Sequence, residues 1–277
     1  MKKIIICISS IVGFIGVIVI LFFTLFALNN VSVDFKNETV MFQDELTQNE
    51  IIQAGNFPNG ACVFFINKQL NAEKIEEMHP YLKVINIETV FPNNFIIHCY
   101  EREELFAVQF DEKKYYICDE EFKILRILTL ETDEYLSIQT NAINVKGYEN
   151  VPKNFIAGDF LSVNKEKDAV IKKFSPAFKL NNRTAVEQKA LIKEIEFEMY
   201  ASVIHKKYMV ALNLIDFTDF FTKIVDAEDF LEYKINLYLE TLSIIFDNEK
   251  QDSELLIFQT LDGGIVAHQI ENSPEDE

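Results

Sequence analysis

The chain has 277 residues, which is enough for one to three domains with a sizeable hydrophobic core. Its formal net charge of −18, from 44 acidic and 26 basic residues, excludes a nucleic-acid partner, because like charges repel and no basic patch offsets them. The 25 phenylalanines argue against a disordered chain and indicate folded domains with buried aromatic side chains.

The N-terminal segment is strongly apolar. Residues 4–28 contain no charged side chain, and about 20 apolar residues suffice to cross a bilayer, so this segment predicts a single transmembrane helix. The two lysines before it assign residues 1–3 to the cytoplasm and the bulk of the chain to the opposite side. The alternative is a cleavable signal peptide, although its apolar core would be shorter, about 7–15 residues.

The next segment has the predicted element order strand, helix, helix, strand, strand. Val31–Phe35 alternates apolar and polar residues, as a strand does. A capping box at Thr47–Glu50 predicts the start of one helix, and Asn71–Met78 has the apolar spacing of a second. Two apolar runs on either side of a Pro-Asn-Asn turn at 92–94 then predict a β-hairpin.

The residues of this hairpin carry a resemblance. A Pro-Tyr-Leu-Lys run at 80–83, a Phe-Pro-Asn turn at 91–93 and a strand ending in Glu101-Arg102 resemble the POTRA domain of the FtsQ/DivIB family of bacterial cell-division proteins. The resemblance implies an α+β protein in which a single transmembrane helix precedes a POTRA (βααββ) domain over residues 31–103. A mixed α/β FtsQ-type β domain over residues 104–268 would follow, with an acidic tail at 269–277.

Short strands and an unclear region begin the second domain. Apolar runs at 106–110, 115–119 and 122–125 predict strands separated by charged turns. Residues 129–182 are polar with scattered apolar pairs, so we expect loops and an irregular insertion there. A second capping box at Thr184–Glu187 predicts a helix that packs through Leu191, Ile192 and Ile195.

The last part of the chain is easier to interpret. Residues 208–214 predict a strand, and 227–246 predict a long helix with one apolar stripe. This helix resembles the long helix of the family's β domain, and Lys234 lies where that family commonly has a lysine. The sequence Asp262-Gly263-Gly264 then predicts a tight hairpin between two apolar strands, because glycine adopts positive φ freely.

Residues that could carry chemistry are sparse. Cys62, Cys99 and Cys118 form an odd set after the apolar segment, so we expect small buried thiols with at most one disulfide. The four histidines lack metal-binding spacing, and no nucleophile or phosphate-binding motif is present. We therefore predict no catalytic residues, no metal, no cofactor and no small-molecule substrate, and hence a protein that is not an enzyme.

The function follows from the resemblance. It implies a scaffold of the division septum that is anchored in the cytoplasmic membrane and docks FtsB/DivIC-like and FtsL-like single-pass proteins. In the family the partner contact lies near the end of the β domain. The residues at the matching positions are Leu256, Phe258, Thr260, Gly264 and Ile265. We expect the partner to add a strand to an open sheet edge there, unless the insertion at 129–182 covers that edge.

Two other classes of protein remain as alternatives. A POTRA-containing envelope scaffold or chaperone-like protein would act in secretion or surface assembly, and such proteins usually carry several POTRA copies or a membrane barrel. An anchored hydrolase would need a catalytic constellation, which the sequence lacks. Localisation at the septum separates the first alternative from a division protein, and turnover of cell-wall fragments would indicate the second.

Overall fold

Contacts within the chain define two units, Met1–Arg102 and Glu103–Glu277. In the computed structural model, the described residues are 2–37, 42, 45–131, 142–181, 183–202, 204–217, 219–247, 253–260 and 262–271. Each unit combines helices with a mixed β-sheet, so the predicted α+β character is confirmed.

Helix α1, Lys2–Leu25, begins the first unit and corrects one prediction. It ends at Leu25 because the chain then bonds to a loop, with the Leu28 N–H donating to the Ala61 carbonyl oxygen at 2.8 Å. Among the described residues, no helix has both the length and the apolarity to cross a membrane. This finding overturns the predicted transmembrane helix over residues 4–28.

Strands and helices of the first unit follow the predicted order. Among its described residues the strands are β1 (Asn30–Phe35), β2 (Leu82–Val90) and β3 (Asn94–Glu101). The helices after α1 are α2 (Glu45–Ala54) and α3 (Lys68–Met78), with a short 3-10 helix, Val63–Phe65, between them. The strands form the small sheet, in the order β1-β3-β2, with β1 parallel and β2 antiparallel to β3. The two helices bury Ile51 and Ile75 against one face of this sheet, where Phe95 is also fully buried.

Both helices start earlier than predicted. Thr47 lies inside α2 and does not cap it, because α2 begins at Glu45. Helix α3 begins at Lys68, since the side-chain oxygen of Asn67 accepts a hydrogen bond from the Leu70 N–H at 3.1 Å. Asparagine is as strong an N-cap as serine, and this cap defines the first turn of α3.

The second unit contains a large mixed sheet. Within its described residues the strands are β4 (Phe106–Asp111), β5 (Lys114–Cys118), β6 (Ile124–Thr129), β7 (Ile143–Lys146), β8 (Ile192–Ala201), β9 (Tyr208–Asp216), β10 (Phe221–Ile224), β11 (Ser253–Gln259) and β12 (Ile265–Glu271). Their order in this large sheet is β12-β11-β10-β9-β8-β7-β4-β5-β6. The edges of the sheet are therefore β12 and β6.

Three described helices of this unit are α4 (Lys165–Leu180), α5 (Ala185–Leu191) and α6 (Leu231–Asp247). The core places Phe174 and Phe178 of α4, and Ile235 of α6, against buried strand residues such as Leu212 and Ile257. A separate apolar cluster around Tyr115 and Ile117 lies on strands β4 to β6. The helix-covered face of the large sheet therefore carries the main core.

The described part of the predicted irregular insertion at 129–182 is only partly irregular, because residues 147–164 form no named helix or strand but regular elements flank them. It contains β7 and the 16-residue helix α4, which Asn164 caps by accepting hydrogen bonds from the Glu166 and Lys167 N–H groups. Pro176 lies inside α4. Because proline usually breaks a helix, its presence in the sequence argues against a helix at this position. Residues 132–141 lie outside the described part of the chain.

Other boundaries also differ. Ile192 and Ile195 are buried in strand β8 and not in the preceding helix, because β8 pairs with β9 there. Helix α6 begins at Leu231, four residues later than predicted, after a turn in which Asp226 and Ala227 are buried. Of the predicted acidic tail, residues 269–271 belong to β12, and residues 272–277 lie outside the described part.

Cys62, Cys99 and Cys118 are buried, as predicted, and all three are free. Burial raises the pKa of the Cys99 thiol to about 12, and it raises the pKa of Cys118 well above its ordinary value. Because only the thiolate reacts, we expect iodoacetamide at pH 7.5 to leave Cys99 and Cys118 unmodified in the folded protein. Guanidinium should make both react fully, as measured by peptide mass spectrometry, and equal labelling in the two states would contradict their burial.

Candidate docking surface

The predicted partner-binding residues lie on the terminal hairpin of β11 and β12. The two strands pair antiparallel from Ser253 opposite Glu271 to Gln259 opposite Ile265. Among the described residues, no strand pairs with the other side of β12. This hairpin therefore ends the large sheet with an open edge.

The described residues of the predicted insertion at 129–182 do not cover the open edge of β12. Strand β7 lies between β4 and β8 in the middle of the large sheet, and α4 packs against α6. The elements found within 129–182 are thus placed away from the outer side of β12, and they add no strand to it among the residues described.

Ile257 shows which backbone groups of β12 face outward. Its carbonyl oxygen accepts a hydrogen bond from the Val225 N–H at 2.9 Å. Val225 follows β10, so the Ile257 carbonyl points towards β10 and away from β12. Ile257 lies opposite Ala267. Since the Ile257 backbone points away from β12, this is a non-hydrogen-bonded pair, in which the N–H and C=O groups of both residues point away from each other. The N–H and C=O of Ala267 therefore face the open side of β12, and by alternation so do those of Ile265.

One face of the hairpin presents apolar side chains that the core does not use. Ile257 is buried under the helices, whereas its neighbour Phe258 points to the opposite face and is partly exposed. Val266 is paired with Phe258 and is 37% exposed, and Ile270 on the same face is 41% exposed. The outer apolar strip consists of Leu256, Phe258, Val266 and Ile270.

The other predicted residues have structural positions. The Thr260 N–H donates to the Gly264 carbonyl oxygen at 2.7 Å, which closes the turn. The Thr260 hydroxyl contacts the Asp262 carboxylate, and this hydrogen bond is the main reason why the pKa of Asp262 is lowered. Gly263 adopts a φ of +91°, which favours glycine. Ile265 packs partly against the core, so of the predicted set only Leu256 and Phe258 lie on the outer strip.

Sequence reasoning missed Val266 and Ile270. The run Ile-Val-Ala-His-Gln-Ile over 265–270 has apolar residues at both odd and even positions, so period-2 alternation does not say which of them face the core. The register with β11 decides this, because it places Val266 opposite Phe258.

Elsewhere in the second unit, a groove of about 750 Å³ lies beside α4. Its lining includes Phe160 and Leu180, together with Glu120, which forms an ion pair with Lys179. The lining residues include no serine, histidine or cysteine, so the groove has no candidate for a covalent mechanism of those types. Among the described residues, no three His, Cys, Asp or Glu side chains are arranged to hold a metal ion.

Comparison with known proteins gives no relative from which a site could be transferred. No protein-family model matches the chain, and no curated protein matches it at a significant level. The structural support for the candidate surface is therefore its geometry, an open edge strand beside the partly exposed outer apolar strip.

Proposed function

We propose that this chain is a non-enzymatic scaffold of the FtsQ/DivIB type, which docks FtsB/DivIC-like and FtsL-like partners at the division septum. The resemblance of residues 80–83, 91–93 and 101–102 supports this proposal, as does the strand-helix-helix-strand-strand order of the first unit. The observation that carries it is the open edge of β12, with the backbone of Ala267 facing outward beside the outer apolar strip.

Strand addition is the mechanism we infer. A partner segment would pair with the outward N–H and C=O groups of Ile265 and Ala267, each hydrogen bond contributing about 0.5–1.5 kcal/mol. Side chains of the same segment would cover Phe258 and Val266, where burial of apolar surface contributes about 25 cal/mol per Å². Because the chain is acidic overall, basic residues flanking the segment would speed association, and added salt would slow it.

A matched pair of variants tests this mechanism. We expect Val266→Glu to weaken capture of the partners by full-length chain at least tenfold, since it places a charge on the outer apolar strip at the paired edge. Ile127→Glu is the control, because Ile127 lies on the opposite edge strand β6 and is 46% exposed. Binding curves with purified FtsB/DivIC-like and FtsL-like proteins of the source cell measure both.

A third variant separates backbone pairing from side-chain contact. Ala267→Pro removes an outward N–H and no hydrogen bond within the hairpin, so we expect lost capture with an unfolding midpoint close to that of the wild type. Equal capture by the Val266, Ala267 and Ile127 variants would place the contact elsewhere. Capture of secretion components only would reject the division function.

A further inference from the structure

His98 occupies a central position in the first unit, on the face of the small sheet that α2 and α3 leave uncovered. It lies on the middle strand β3, with Asp34 on β1 and Glu88 on β2 as neighbours. Its Nδ1 is 2.7 Å from Asp34 Oδ2, and its Nε2 is 2.8 Å from Glu88 Oε2. The side chain is only 13% exposed. One imidazole ring therefore joins all three strands of this sheet.

Both contacts require a hydrogen between nitrogen and oxygen. A carboxylate only accepts hydrogen bonds, and a neutral imidazole has one N–H to donate, whereas the imidazolium ion has two. We propose that His98 is held as an imidazolium ion between Asp34 and Glu88, and that it ties β1, β2 and β3 together in a proton-dependent way.

The charges around the ring are consistent with this state. The Lys36 ammonium lies 2.6 Å from the same Asp34 oxygen, and the hydrogen bonds from Lys36 and then His98 lower the pKa of Asp34. Asp34 is therefore a carboxylate, and it cannot donate a proton to the ring. Two carboxylates face one lysine and one imidazolium, so the cluster is neutral only when His98 is charged.

The other described polar groups near this face of the small sheet do not supply a second positive charge between Asp34 and Glu88. The Lys83 ammonium lies over the Tyr100 ring at 5.8 Å from its centroid, farther along the face. Asn86 is paired with His98 on β2 and carries no charge. The Cys99 thiol points into the core and stays protonated because burial raises its pKa to about 12.

The direction of the pH effect follows from the geometry. When the ring loses its proton, one nitrogen lone pair faces a carboxylate oxygen and that tie is lost. The tie therefore contributes to stability while the ring is charged, and this contribution is lost when a rise in pH removes the ring's second proton. A glutamine at position 88 would remove this dependence, because its amide donates to a neutral nitrogen as readily as its oxygen accepts from an N–H.

Nitrogen-15 NMR of full-length, histidine-labelled chain tests the protonation state directly. At pH 6 we expect both ring nitrogens of His98 to carry hydrogens, with the resonance assigned from His98→Gln. A single N–H at pH 6 would overturn the proposal, and the protonation state itself is read from the wild-type protein.

Thermal unfolding tests the tie. Between pH 6 and pH 8 we expect the unfolding midpoint of the first unit to fall by about 2–4 °C more in the wild type than in Glu88→Gln. Glu77→Gln is the control, since Glu77 is an exposed glutamate of α3 in the same unit, and it should behave like the wild type. The same pH dependence in the wild type and Glu88→Gln would contradict the proposal.

Discussion

Gly147→Ala is expected to lower the free energy of unfolding of the second unit by about 3–5 kcal/mol. Gly147 follows β7, whose parallel pairing with β8 brings it beside Phe197. A Cβ at this position would lie 2.2 Å from the Phe197 carbonyl oxygen and 2.8 Å from its nitrogen. Both atoms belong to the backbone of a central strand, so neither can rotate away. The φ of +81° adds about 1–2 kcal/mol of strain for any residue with a Cβ.

Gly263→Ala separates these two effects. Gly263 has a similar φ of +91°, but the nearest atom to an added Cβ is the flexible end of Gln259, 4.0 Å away. We therefore expect this control to lose only the strain component, about 1–2 kcal/mol. Urea unfolding followed by circular dichroism measures both variants, and equal losses would show that the contact with Phe197 is relieved by movement of the strands.

Lys234→Met is expected to destabilise the second unit by about 2–4 kcal/mol. Lys234 is fully buried in α6, and its ammonium donates to the carbonyl oxygens of Val225 and Asp226 at 2.9 and 2.8 Å. These carbonyls lie in the turn before the helix, where Asp226 has a φ of +50°. Methionine fills a similar volume but leaves both oxygens without this donor. The gain from no longer burying a charge offsets only part of that loss.

The effect of Lys234 should depend on pH. Burial is the main cause of its lowered pKa, which the charges of Asp226 and Asp229 oppose. Between this lowered pKa and the ordinary lysine value of about 10.4, the unfolded chain binds more protons than the folded chain. The stability of the wild type relative to Lys234→Met should therefore grow as the pH rises through this interval, since a neutral amine still donates to both carbonyls.

Lys193→Met is the matched control for this variant. Lys193 is half-exposed on β8, where it forms an ion pair with Asp219 at 2.7 Å. An exposed ion pair contributes about 0–1 kcal/mol, so the control should change the urea midpoint little. A similar loss in both lysine variants would show that the hydrogen bonds to the turn before α6 are not what stabilises it.

Local patterns determined many elements from the sequence alone. The hairpin around Pro92, the strand-helix-helix-strand-strand order, the capping box at Thr184 and the turn at Gly263 all follow from interactions within a few residues. Such interactions act on the chain before any distant segment arrives, and for this reason they can be predicted. The burial of Cys62, Cys99 and Cys118 was predicted from their odd number, whereas the absence of a disulfide among them was left open.

Pairing between distant segments decided the rest. Helix α4 was hidden by Pro176, and its stability comes from burying Phe174 and Phe178 on strands that are remote in sequence. The apolarity of residues 4–28 predicted a transmembrane helix, but among the described residues no helix has both the length and the apolarity to cross a membrane. Helix α1 ends at Leu25, where the chain bonds to the loop at Ala61.

The candidate docking surface and the His98 cluster show most clearly what local patterns predict and what pairing between distant strands decides. Sequence and resemblance together selected the terminal hairpin, but the register of β12 on β11 selected Val266 and Ile270 in place of Thr260 and Gly264. The contacts of His98 likewise depend on Asp34 lying 64 residues away in sequence. Which face a strand side chain occupies, and which charge it meets, is set by pairing between strands, and that information resides only in the tertiary structure.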